Sequence, residues 1–246
     1  MKSNSVFSVA VLLALAGSVF ASLDINEVRI DESGIENNEY FELYANGMNV
    51  NLGDLTYLVI GDSSAGSGVI EEVVALPNIT LNSGEYFLVA ESSFNMGPTP
   101  DLVVSLNFEY DNVTHLVVRN FSGSLFQDLD TEADGGDGNL DITPWSEVID
   151  AVSLLSSDDF GDKVYGAALG GVDVGGDGNF IPNHVYRSPD GGDFEIDDLF
   201  LVDDDTPGAS NGAAAVPEPS AFLLLGLVGG VAGLGKWLRS RRQAAE

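Results

Sequence analysis

The stretch EYFELYANGMNVNLGDLTYLVIGD, from Glu39 to Asp62, carries the period of a β-sheet. In its first half Phe41 and Leu43 fall on one face of an extended chain, and Tyr40, Glu42 and Tyr44 on the other. Gly53-Asp54 then supplies turn chemistry, and the β-branched and aromatic run Leu55 to Ile60 reads as the next strand. The pattern continues on both sides. Asp24 to Ile30, Val69 to Leu76, Glu85 to Ala90, Leu102 to Phe108 and Thr114 to Arg119 are predicted strands, with Asn82-Ser83-Gly84 and Ser122-Gly123 as turns. Val148 to Leu155 is long and apolar enough for a further strand, although its composition alone leaves helix open. With no long amphipathic helix competing, an all-β sandwich fits best.

Several of these pieces, in this order, resemble a lamin-tail domain. They are INEVRI at Ile25 to Ile30, the Glu39 to Asp62 stretch, and LNSGEYFLVA at Leu81 to Ala90. VIDAVSLL at Val148 to Leu155, VYRSPDG at Val185 to Gly191 and TPGASN at Thr206 to Asn211 follow. The resemblance implies an immunoglobulin-like β-sandwich over residues 22–212, with the acidic stretch after Phe126 as an insertion beyond the minimal domain. It implies no general catalytic mechanism, and the partners of nuclear members do not transfer.

The two ends read differently from this middle. Lys2, the apolar run Val6 to Ala16 and Val19-Phe20-Ala21 form a secretory signal peptide over residues 1–21, which signal peptidase would remove after Ala21. The other end reads VPEPSAFLLLGLVGGVAGLGKWLRSRR from Val216. Ala221 to Gly235 is uncharged, and as a helix its fifteen residues reach about 22 Å against a hydrocarbon core of about 30 Å. Continuing through Trp237 and Leu238, with Lys236 snorkelling, brings residues 221–238 close to a membrane span. The basic residues 239–246 favour the cytoplasmic side, and Gly226 and Gly230 give one GxxxG spacing. A buried helix of the main domain is the alternative reading. The order of Pro-Glu-Pro, apolar run and basic cluster resembles the PEP-CTERM sorting signal of exported bacterial proteins. That resemblance implies that residues 213–220 are a linker in which an exosortase-type transpeptidase recognises Pro217, Glu218 and Pro219 and removes the tail. Physical chemistry alone leaves open a permanent anchor or a processed signal. The terminal hydrophobic segments are thus expected to be helices flanking the β domain.

Between Ser22 and Val216 only Arg29, Arg119, Lys163 and Arg187 are basic, against 37 acidic residues, a formal net charge of −33. Such a field disfavours nucleic acid and anionic membrane surfaces. It also strains the compact state by self-repulsion, which salt or divalent cations relieve. The chain has no cysteine, which excludes disulfides, thiol nucleophiles and thiolate metal sites.

The strongest chemical candidate is DLDTEADGGDGNLD, Asp128 to Asp141. Counted from Asp130 as an EF-hand loop, it offers Asp130, Glu132 and Asp134, a turn at Gly135, and Asp141 at the twelfth position. Alternating carboxylates on a glycine-rich backbone suit calcium, and Asp137 adds a further oxygen donor. Asp137 stands at the eighth position, where an EF-hand is apolar, and no flanking helices are evident. A solvated loop without an ion is therefore the alternative. GGDGN at Gly175 to Asn179, with Asp177, echoes the first loop.

Gly61-Asp62-Ser63 resembles the nucleophile block of GDS-type esterases, but His115 and His184 do not stand in the family's Asp-x-x-His pattern. A strand-end turn explains the triplet better. Trp145 is expected to pack beside the acidic loop rather than to stack on sugar. Sequons at Asn78, Asn112 and Asn120 imply exposed loops only if they are used. The sequence therefore predicts an exported, non-catalytic envelope or matrix protein with adhesive or structural work. A hydrolase of extracellular polymers and a carbohydrate-binding module without turnover are the alternatives.

Overall fold

The computed structural model describes residues 22–30, 37–63, 66–131, 136–156, 163–176, 181–197 and 205–212. Both terminal segments, with the expected signal peptide, Pro217, Glu218 and Pro219, the expected 221–238 helix and the basic tail, lie outside these residues. So do Glu132, Asp134, Gly135, Asp177 and Asn179. Among the described residues no helix is long and apolar enough to cross a membrane.

The described chain is all-β apart from one 3-10 turn, Ala167–Leu169. In chain order the strands are β1 (Ser22–Arg29), β2 (Tyr40–Asn46), β3 (Val50–Asn51), β4 (Leu55–Ser63), β5 (Gly66–Ala75), β6 (Thr80–Leu81) and β7 (Tyr86–Ala90). There follow β8 (Leu102–Val103), β9 (Val113–Arg119), β10 (Glu147–Leu155), β11 (Val172–Gly175), β12 (His184–Ser188) and β13 (Asp193–Ile196). One sheet has the order β13-β12-β1-β2-β7-β8 and the other β11-β10-β9-β4-β5, while β3 and β6 form a small ribbon. Pairing is antiparallel except at two edges, β7 with β8 and β10 with β11. Val148 to Leu155 is thereby a strand, paired through Val152 with His115 on one side and Val172 on the other.

The alternation read from the sequence places the core. Ile25, Val28, Phe41, Leu43, Phe87, Val89 and Val185 of the first sheet pack in one cluster with Leu55, Tyr57, Val59, Val117, Val152 and Leu154 of the second. The sheets therefore lie face to face, and the rings of Phe41 and Tyr57 stack across the gap with centroids 3.6 Å apart. Each such side chain, fully withdrawn from water, stabilises the fold by about 1.5–3 kcal/mol before entropy is counted. A bulge between Ile25 and Glu27 keeps both Ile25 and Val28 inward. The Ile25 N–H at that bulge donates to Asp150 on β10 at 2.8 Å, and Asp150 also pairs with Arg187 at 2.9 Å, tying the two sheets together.

Neither outer face is simply solvated. On the five-stranded sheet Leu58, Ile60, Ile70, Leu116, Val118 and Ala151 are buried beneath Leu129 and Tyr165. The acidic insertion is thus a lid that roofs a second core. On the six-stranded sheet the outward Glu27, Tyr40 and Glu42 are also buried, each at 0 % exposure. What covers them decides the site.

The predicted strand Leu102 to Phe108 shortens to Leu102–Val103. Leu106 and Phe108 still enter the core, but the Phe108 N–H donates to the Glu39 carboxylate at 3.1 Å rather than to a neighbouring strand.

Candidate functional site

Asp130 is the centre of the acidic loop as it folds. The loop is pinned to β5 by a bridge between Val69 and Asp128 and by the Leu129 N–H on Gly68 O at 2.9 Å. That contact drives Leu129 into the second core and leaves Asp130 at 2 % exposure just beyond it. Its carboxylate accepts the Tyr165 hydroxyl at 2.8 Å and the backbone N–H groups of Asp137 at 3.1 Å and Gly138 at 2.9 Å. Gly136 has φ +92°, and a Cβ there would stand 2.6 Å from Oδ2 of Asp130, so a side chain at this position would break the wrap. Burial, followed by the neighbouring Asp130, pushes the Tyr165 hydroxyl well above its ordinary range and keeps it a donor.

The other described candidates fold outward from this hub. Asp137 accepts the N–H and side-chain amide of Asn139, both at 2.9 Å. Asp141 accepts the hydroxyl of Thr131 at 2.7 Å and its N–H at 2.9 Å, and these bonds lower its pKa. Trp145 packs against the same second core as Leu129, beside the loop as expected. Asp130→Ala would strip the acceptor from three donors. We expect it to lower unfolding free energy by about 1–3 kcal/mol in urea titrations; a change below about 0.5 kcal/mol, the range of neutral surface substitutions, would show that the loop is not organised around this carboxylate.

Among the described residues, His, Asp and Glu donor atoms converge in threes at two places. They are Glu27–His184–Asp205 and Asp62–Glu71–Glu109, and Asp130, Asp137 and Asp141 belong to neither. In the second group the Asp62 N–H donates to Glu71 at 3.1 Å. Burial and then repulsion by Glu109 raise the Glu71 pKa to about 8, so that it holds a proton between the acids at neutral pH. Gly61 has no room for a side chain because a Cβ would fall on the Glu71 carboxylate. Instead of the expected strand-end turn, Gly61, Asp62 and Ser63 continue β4, paired with Val69, Ser67 and Gly66 of β5, with Gly61 and Asp62 held against Glu71.

Neither histidine stands near an open surface. His115, on β9, is fully buried in the main core, with Nδ1 2.7 Å from the Tyr57 hydroxyl, and burial drops its pKa to about 3. His184, on β12, lies on the outer face of the other sheet at 3 % exposure. Asn112 is also buried, its side-chain oxygen accepting Ser156 N–H at 2.8 Å, whereas Asn78 and Asn120 are exposed.

The group around His184 was not legible as a unit in the sequence. Nε2 of His184 lies 2.8 Å from Glu27 and 3.7 Å from Asp205, and Nδ1 lies 3.2 Å from Asp197. Burial alone would lower its pKa, but the bonds to Asp197 and Glu27 and the field of Asp205 outweigh it and raise the value to about 9. Glu27 also accepts the Tyr40 hydroxyl, the Thr206 N–H at 2.9 Å and the Thr206 hydroxyl at 3.2 Å. Asp205 takes Arg29 through both oxygens, at 3.0 and 2.8 Å, and Tyr40 at 2.9 Å. With its oxygens already engaged by four donors, Glu27 sits at the centre of an ionic knot.

The knot continues along the segment 205–212, which lies across the sheet as a strap. Glu42 accepts the Gly208 N–H at 2.5 Å. Asp190 accepts the Ser210 hydroxyl at 2.6 Å, the Asn211 N–H at 3.0 Å, the Tyr86 hydroxyl at 2.8 Å and the Asn26 amide at 3.1 Å. Asn26, Glu27, Glu42, Asp190 and Thr206 to Asn211 come from four separate motifs, INEVRI, EYFELY, SPDG and TPGASN, and they meet here. No protein-family model matches the chain, and no curated protein sequence matches it.

Proposed function

We propose that this protein is an exported, non-catalytic β module of the bacterial cell envelope or extracellular matrix, with structural or adhesive work. In this reading signal peptidase removes residues 1–21. The C-terminal helix holds the chain in the membrane until an exosortase-like enzyme acts at Pro217, Glu218 and Pro219. The sandwich is immunoglobulin-like, of the lamin-tail kind. The observation that supports this is the use to which the chemistry-bearing residues are put. His184 and the carboxylates of Glu27, Glu42, Asp130 and Asp190 are spent on buried contacts that fasten loops to sheets, and His115 is spent on a core contact with Tyr57 of the neighbouring strand. Four of the motifs that carry the lamin-tail resemblance also converge on one such fastening. Cell fractionation with an antibody to the β domain tests the reading: surface or matrix location of a form lacking the tail is expected, and retention in the cytoplasm would overturn it. Extracellular polysaccharide and matrix proteins are the partners this reading names, and binding assays with the β domain would find them.

Calcium belongs to the same proposal. The acidic loop with Asp130, Glu132, Asp134, Asp137 and Asp141 is the place the sequence offers for it, and the net charge of −33 between residues 22 and 216 is the reason a divalent cation would stabilise the fold. Millimolar calcium is expected to raise the thermal midpoint by several degrees relative to chelator, since about 1 kcal/mol moves a domain of this size by about 2–4 °C. An equal rise with magnesium or with sodium chloride would reduce the effect to screening, and an unchanged midpoint would remove calcium from the account.

A further inference from the structure

The 205–212 strap is attached in an unusual way. Among the described residues its one backbone–backbone hydrogen bond is internal, Ala209 N–H to Thr206 O at 2.9 Å. Among the described residues every bond that ties it to the sheet runs through a side chain, and the principal acceptors are the carboxylates of Glu27, Glu42 and Asp190. The strands of the sheet beneath are joined by backbone ladders that do not depend on any side-chain charge. The strap and the sheets therefore rest on different chemistry.

Glu42 is the acid with the least compensation. It is wholly buried, its contacts are the Asn26 amide at 3.0 Å and the Gly208 N–H, and no described Arg, Lys or His forms an ion pair with it. A buried carboxylate facing another carboxylate, Glu27, without a cation favours its neutral form. The strap is the cover that buries it.

We propose that residues 205–212 form a proton-linked latch, which docks on the six-stranded sheet with uptake of a proton at Glu42 and peels away on alkalinisation while both sheets stay folded.

The direction follows from the groups that face the strap. Burial, then repulsion from Glu27 and Asp190, outweighs the bonds from Asn26 and Gly208 and raises Glu42 to about 8. Once the strap leaves, the carboxyl meets water and returns towards its ordinary 4.5. The docked state thus holds a proton that the released state lacks, and docking weakens as pH climbs from about 4.5 to 8. The full window corresponds to a fall of about three orders of magnitude in the docking constant. From β1, Asp24 and Arg29 also face this surface, and Arg29 holds Asp205, whose own pKa is raised by burial against the pull of His184 and Arg29. From β2 and β7, Tyr40, Tyr44 and Tyr86 are all raised, first by burial, so the docked state keeps their protons too. From β12, His184 stays charged to about 9 and Tyr186 lies beside it; Asp197 completes its shell. Asp190 alone acts in the opposite sense: bonds from Ser210, Asn211, Tyr86 and Asn26 overcome its burial and lower it, so docking also fails in strong acid.

Hydrogen exchange of the full chain in detergent, read by mass spectrometry and corrected for the intrinsic pH dependence of exchange, tests the latch. Protection across 205–212 is expected to fall at least about a hundredfold between pH 5.5 and 9, with β4 and β9 still protected. Glu42→Gln, which stays neutral, is expected to flatten most of that dependence. Strap and sheet losing protection together, protection that does not change with pH, or an unaltered profile in Glu42→Gln would each overturn the proposal. A titration of the Glu42 carboxyl by carbon NMR in the unmodified protein is independent of any variant. A midpoint near 8 supports the latch, and one near 4.5 overturns it.

Discussion

Glu27→Ala is expected to cost about 3–5 kcal/mol of folding free energy, the range for removing one partner from a buried charge network. The side chain is 0 % exposed and accepts from Tyr40, His184 and both donors of Thr206. Alanine leaves a hydroxyl, an imidazolium and a backbone N–H facing a cavity, with only Asp197 and Asp205 to hold the charge of His184. Glu27→Gln keeps an oxygen in place and loses the charge, so its cost is expected to be smaller. Urea unfolding of both variants at neutral pH gives the split. If alanine and glutamine cost the same, the charge rather than the hydrogen-bond geometry holds the knot. If both fall below about 1 kcal/mol, the typical size for an unremarkable substitution, the network does not stabilise the fold.

The knot also shows where reading the sequence ran out. Seven strands were legible as strands, because period-two alternation and turn residues are local properties of the chain. Phe41 and Leu43 do face the core, and Tyr40 and Glu42 do face away. The two-residue strands β3 and β6, and the strands β11, β12 and β13, are not among the expected ones. Val172–Gly175 is short and ends in glycine, His184–Ser188 mixes polar and aromatic residues, and Asp193–Ile196 alternates acids with apolar residues over one short edge. The length of each is too small for a period to stand out. The fate of Glu42 was illegible for another reason. Whether an outward residue meets water depends on what lies over it, and the strap arrives 166 residues later in the chain.

The acidic loop was legible as a unit and not in its internal order. Alternating carboxylates and glycines mark a backbone that curls around something, and the sequence offers a cation as the something. In the structure the curl closes round the Asp130 carboxylate, with N–H groups and the Tyr165 hydroxyl pointing inward. Tyr165 lies 35 residues away, and nothing local to the loop announces it. The same glycines serve either arrangement, since both need a backbone that bends without a Cβ in the way. The burial of Leu129 was the missing signal: an apolar residue between two aspartates makes the loop a lid on the sheet, which turns its first carboxylate inward.

Phe41→Ala carries the second large effect, about 3–5 kcal/mol, as befits an aromatic side chain removed from a packed core. Phe41 is 0 % exposed on β2, and its ring lies parallel to that of Tyr57 on β4 with an interplanar angle of 1°. Because β2 and β4 belong to different sheets, this one contact reports on whether the sheets pack face to face. Tyr57 is held from the other side, with its hydroxyl on His115 and its ring 6.4 Å from Phe108, so it cannot swing into the space alanine leaves. The cavity term should therefore persist. Phe41→Leu fills part of that space and is expected to cost less. A double-mutant cycle between Phe41→Ala and Tyr57→Ala should give a coupling of about 0.5–1.5 kcal/mol, the size of a specific aromatic pair. Additive effects would mean that the two rings do not meet. A cost for Phe41→Ala below about 1 kcal/mol would place Phe41 outside the interior, and the face-to-face arrangement of the two sheets would fall with it.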